Sequence, residues 1–160
     1  MALDSLFNLP AHPLLVHIPV VCIPLAAVGA VAIAVRPGWR RAYGPIVVVL
    51  AAVGAVGAQL ATMSGESLEE SRRIRDLGDH GEYGEMARNL ALLLFGLVLV
   101  LYVVDRWKRH RRLRRLPAWA APAIAVLTIL GAVGATGTAV IAGHSGAEHV
   151  WKDDTASSGR

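Results

Sequence analysis

The chain is poor in the residue types that do covalent chemistry. It has one cysteine, Cys22, so an internal disulfide is excluded and cysteine usage says nothing about redox compartment. No CxxC pair, HExxH helix or Gly-rich phosphate loop occurs, which removes the commonest sequence signatures of dithiol redox, zinc hydrolysis and nucleotide binding. Ser145 stands beside His144, but neighbouring residues on a helix do not face each other, so they do not form a nucleophile–base pair. Independent catalytic activity is therefore not expected. The opening MALDSLFNLPAHP carries Asp4 and no Lys or Arg, so the basic region of a cleavable signal peptide is missing. Charge is scarce too, at 18% of residues, and it is absent from long blocks of the chain.

Those blocks are what the sequence does have. It is 54% hydrophobic with a mean hydropathy of +0.49, and four apolar segments stand out at residues 14–35, 45–63, 89–104 and 118–143. A membrane-spanning helix needs about 20 such residues. The third segment is short, but MARNLALLLFGLVLVLYVVDRW (86–107) spans if Arg88 and Asp105 reach the two interfaces. The expected fold is an all-α integral membrane four-helix bundle, one domain over residues 1–160. An extended external loop would join helices two and three.

Loop charges set the expected orientation. Arg36, Arg40 and Arg41 lie between spans one and two. Between spans three and four, Arg106, Lys108, Arg109, Arg111, Arg112, Arg114 and Arg115 stand against the single acid Asp105. The 64–88 segment holds seven acids against four arginines. The positive-inside rule puts both basic loops in the cytoplasm and both termini outside, and Trp39, Trp107 and Trp119 fall at the cytoplasmic ends as an interfacial belt would. Nucleic acid is not the expected partner of residues 106–115. Between two spans, anionic lipid headgroups are nearer, and the charges serve as topology determinants.

Within the external segment, Ser67-Leu68-Glu69-Glu70 has capping-box spacing and predicts the start of a short helix closed by Gly78. Asp79 then caps the next helix, with His80 at its first position and Glu82 at N3. The string GAVGA occurs twice, at 54–58 and 131–135, each time upstream of a Ser-Gly pair (Ser64-Gly65 and Ser145-Gly146). It fits a duplicated hairpin, and equally the close helix packing that small residues permit in any bundle.

The six histidines are the chemistry that is left. His110 lies in the basic loop and reads as solvated, and Cys22 reads as a small apolar residue of the first span. His12, His17, His80, His144 and His149 lie at or beyond the outer face. Counted from the cytoplasmic end of each helix at 1.5 Å per residue, His12, His80 and His144 stand roughly 36, 38 and 39 Å up. His17 stands about 28 Å up on the same rule and is expected to point into the outer part of the bundle. Neutral imidazole ligates haem iron, zinc and copper. The leading reading is a small redox or cofactor-binding subunit with a b-type haem, His17 as one axial ligand and His80 or His144 as the other. A second is a Zn or Cu ion held or transported by His12, His80, His144 and loop acids. A third is a non-catalytic scaffold that packs against a partner through its small-residue helices; capping helix ends and binding headgroups or water is the expected role of His12 and His149.

AHPLLVHIP, ATMSGESLEE, DHGEYGE and GHSGAEHVW together resemble the bacterial membrane family called domain of unknown function 2231, most specifically in the HPLLVHxP opening and the GHSGA ending. The resemblance implies four spans of this layout in a bacterial plasma membrane, and His12, His17, His80 and His144 as shared positions. Some relatives carry an attached Rieske iron–sulfur domain. This implies a redox setting, a small electron-transfer subunit and a partner such as a Rieske protein. The present chain has no ligand pattern for the cluster itself.

Overall fold

The computed structural model describes the backbone of residues 5–6, 9–10, 15–72, 80–109 and 117–158, and the side chains of 15–66, 81–108 and 117–145. Four long helices make up almost all of it: α1 (His17–Val35), α2 (Arg40–Arg72), α3 (His80–Arg109) and α4 (Ala120–Ser158). Each contains a stretch long and apolar enough to cross a membrane, and these stretches run 17–35, 37–66, 81–108 and 120–145. Ser5–Leu6 and Leu9–Pro10 (β1 and β2) add only a two-residue antiparallel pairing. The all-α, four-helix expectation is met.

The helices form a square. α1 packs on α2 and α4, α3 packs on the same two, and α1 and α3 face each other across the diagonal. The seams explain why. α1 buries Pro19, Ile23, Ala26, Ala30 and Ile33, and α3 buries Ala87, Ala91, Leu94, Val98 and Leu101. Both series step by four and three, the spacing that keeps one stripe on the bundle axis when helices cross at about 20°. α2 and α4 answer with smaller residues: Ala51, Ala55 and Ala58 on one, Thr128, Ala132 and Ala135 on the other. The opposite faces are apolar as well, with Val28, Ile46, Leu130 and Val133 all more than half exposed. Helices apolar all round need lipid rather than water outside them.

The turn between α1 and α2 is tied by one residue. Arg36 leaves the helix, Pro37–Trp39 make a single 3-10 turn, and Arg40 starts α2. Arg40 folds back to donate from Nε to Ile33 O (2.8 Å) and from Nη2 to Ala34 O (3.1 Å). Its side chain thereby satisfies carbonyls at the end of α1 that lack a helical partner.

Two boundaries differ in kind from expectation. α2 does not stop near residue 63; it continues unbroken through Ser67-Leu68-Glu69-Glu70 to Arg72. A capping box relieves the free N–H groups of a helix start. Here those N–H groups already belong to a continuing helix, and Ser and Glu three apart simply share one of its faces. α4 likewise runs on past residue 143 to Ser158. α3 is helical from His80 onward among the described residues. Asp79 and Gly78 lie outside the described residues.

Candidate functional site

Glycines fix the vertical register of the bundle, because each meets a particular side chain across the seam. A Cβ at Gly57 would stand 2.6 Å from Ile18 Cγ2, and one at Gly29 2.7 Å from Val47 Cγ2, which aligns α1 with α2. Gly44 would similarly meet Tyr102 Cδ2 at 2.6 Å. The ion pair from Arg40 Nη1 to Asp105 Oδ1 (3.7 Å) gives the same α2–α3 alignment. Gly131 faces Leu97 at 2.9 Å and Gly134 faces Leu90 at 3.6 Å, which aligns α4 with α3.

Read through these registers, Trp39, Trp107 and Trp119 come to one height within a residue or two, and all three are exposed. They form a ring of interfacial aromatics at one end of the bundle. Gln59, Ala87 and Ala139 lie twenty residues further along their helices, and His17 stands level with them. At 1.5 Å per residue the separation is about 30 Å, the thickness of a bilayer's hydrocarbon core. Half-buried Arg88, donating from Nε to Asn89 Oδ1 (3.3 Å), lies at this second level too. Ser64, Glu82 and His144 share a level about five residues, or roughly 7 Å, above it. His80, the first residue of α3, stands two positions beyond Glu82.

The site histidines therefore gather by height, but not around one axis. His17 does not point into the bundle: it is exposed, two residues before the seam position Pro19 and so about 200° round the helix from it. His144 is exposed on α4. Position 80 falls in line with the α3 seam, two heptads before Leu94, although its side chain is outside the described set. His12 lies outside the described residues, and His149 is described only as backbone within α4. Among the described residues, no three His, Cys, Asp or Glu side chains come together as a metal-holding group.

Between these levels neighbouring helices pack directly on one another. A methyl group does not fit at Gly57 without moving Ile18, so the α1–α2 seam has no gap of porphyrin width. The hydroxyls buried there bond their own helices: Thr128 Oγ1 donates to Ile124 O (2.7 Å), Thr138 Oγ1 to Gly134 O (3.0 Å) and Ser64 Oγ to Ala61 O (2.9 Å). Such i−4 and i−3 bonds let hydroxyls sit in apolar helices. Among the described residues no buried side-chain nitrogen or oxygen lacks a partner.

At the opposite end, the basic residues are not equivalent. Arg40 is buried and paired with Asp105, whereas Arg36, Arg41 and Arg106 are exposed and Lys108 is half-buried. Arg109 is described only as backbone, and Arg111, Arg112, Arg114 and Arg115 lie outside the described residues. The Arg40 clasp is the feature that sequence reasoning missed. Its one signal was Asp105, a lone acid beside seven bases.

A family model described as a predicted membrane protein, domain of unknown function 2231, matches residues 8–159. No curated protein and no solved structure matches the chain.

Proposed function

The chain belongs to the family of membrane proteins called domain of unknown function 2231, and from that premise we propose that it is a small multi-pass subunit holding a divalent transition-metal ion at its outer rim. One observation carries the reading. His80 and His144 lie on the adjacent helices α3 and α4 within about two residues of the same height, above the apolar slab and at the end of the bundle that carries the acids of residues 64–88. Imidazole and carboxylate together form a donor set for Zn²⁺ or Cu²⁺, with His12 as the third imidazole. The same imidazoles suit haem iron, the redox reading. The closed α1–α2 seam and the exposure of His17 favour a small ion over a porphyrin inside the bundle.

The orientation belongs to the same proposal. The tryptophan ring and the exposed arginines face the cytoplasm of a bacterial plasma membrane, and both termini stand outside. Residues 106–115 then meet anionic headgroups, and the outer rim is the side on which a redox partner such as a Rieske protein would dock.

Elemental analysis and a visible spectrum of gently purified protein test the reading together. About one Zn or Cu per chain is expected, as for a single three-ligand site. It should be retained in His17→Ala and lost in the His80→Ala, His144→Ala double variant. Metal content unchanged by that double variant overturns the ion site. A Soret band that the same substitutions abolish transfers the site to haem, and wild-type behaviour of all the variants leaves the scaffold reading.

A further inference from the structure

The α1–α2 turn carries a cation whose surroundings differ from those of its neighbour four residues on. Arg40 is engaged by Ile33 O, Ala34 O and Asp105. Arg36 is exposed, with its guanidinium carbon 4.7 Å from the centre of the Trp39 ring. Trp39 in turn meets Tyr43 edge to face, with centroids 5.7 Å apart and planes at 67°. Trp39 and Tyr43 are themselves 42% and 53% exposed, on the outside of the bundle at the height of the tryptophan ring.

We propose that Arg36, Trp39 and Tyr43 form a binding site for the phosphodiester of an anionic phospholipid. A guanidinium over an indole is held in place by the ring, and its N–H donors lie in its own plane, where a phosphate oxygen accepts them in pairs. The indole and phenol are amphipathic rings of the kind that sit at headgroup depth, with apolar bodies against acyl chains. Residues 34–46 contain no acid, and Asp105, the acid that approaches this turn, faces Arg40. The turn therefore presents uncompensated positive charge at the depth where lipid phosphates lie. The occupant is a lipid rather than free phosphate, because the aromatic pair gains only from a ligand that carries acyl chains. The site is independent of the metal reading, since it lies at the other end of the bundle.

The test uses the full chain with Trp107→Phe, Trp119→Phe and Trp151→Phe, so that Trp39 alone emits. Reconstituted in phosphatidylcholine with a few per cent of brominated phosphatidylglycerol, Trp39 should be quenched as if that lipid were enriched about fivefold over its mole fraction, the scale expected of one arginine at an anionic surface. Brominated phosphatidylcholine at the same fraction should show no enrichment. Arg36→Gln should abolish the excess while Arg41→Gln keeps it. Quenching that tracks mole fraction for both lipids, or an excess that persists in Arg36→Gln, overturns the proposal. Native mass spectra of the wild-type chain give a check that needs no variant: phosphatidylglycerol should be retained in preference to phosphatidylcholine, and equal retention also overturns it.

Discussion

The hairpins α1–α2 and α3–α4 use the same string to close two unlike seams. Gly54 and Gly57 of the first recur as Gly131 and Gly134 of the second, and each pair faces the preceding helix of its own hairpin. The buried residues keep step: Ala51, Ala55, Ala58 and Ala61 on α2 correspond to Thr128, Ala132, Ala135 and Thr138 on α4. What differs is the surface they meet. A Cβ at Gly54 would meet the Ile23 side chain and its backbone nitrogen (3.3 Å), and one at Gly57 the Ile18 Cβ and the Pro19 ring. Gly131 and Gly134 meet only the ends of Leu97 and Leu90. A small-residue string thus fixes which face turns inward, while the opposing helix decides how close the approach is. At these levels α1 offers the β-branched Ile18 and Ile23 and the Pro19 ring, whose atoms lie close to their own backbone, where α3 offers the longer Leu90 and Leu97, so the first hairpin closes nearer to backbone and the second on side-chain tips. The matching phase fits a duplicated hairpin, and it also follows from heptad packing without one.

Substitutions can break this contrast in graded steps. The largest effect is expected where the two hairpins are tied to each other. Arg40→Ala removes two hydrogen bonds to α1 and the cation facing Asp105 on α3. It should destabilise the fold by about 3 kcal/mol, the range for breaking a buried pair, as read from unfolding in mixed detergent–SDS micelles. Next comes the tight seam. Gly57→Ala should cost about 1–3 kcal/mol through overpacking against Ile18 and Pro19. Gly134→Ala, whose new methyl group meets Leu90 at an ordinary 3.6 Å, should be neutral or stabilise by up to about 1 kcal/mol through helix propensity. Equal effects in the two hairpins would show that the closeness difference is not real. The smallest step is Thr128→Val. Its hydroxyl only back-bonds to Ile124 O, a carbonyl within the same helix, so a change under about 1 kcal/mol is expected in the same assay.

Four spans were legible in the sequence because uninterrupted apolar length is a one-dimensional signal. Heights were legible for the same reason. Counting residues placed His17 about 28 Å up, and the glycine registers put it at the edge of the slab opposite the tryptophan ring. Its azimuth was not legible. Both faces of α1 are apolar, so nothing in the sequence showed that Pro19 and Ile23 carry the seam and His17 does not. The capping box misled for a related reason, since Ser67 and Glu70 look alike at a helix start and on the face of a helix already under way.

The sequence by itself determined how many apolar spans there are, how long they run and at what height Trp39, Trp107, Trp119, His17 and His144 stand, because rise per residue is fixed by the backbone. Only the tertiary structure decided which side each residue shows. It turned His17 outward, bonded the Thr128 and Thr138 hydroxyls back to their own helix, and divided one run of arginines into a buried clasp at Arg40 and an exposed cation on an aromatic shelf at Arg36. Those outcomes depend on where the neighbouring helices lie, and helices apolar all round leave that choice to packing.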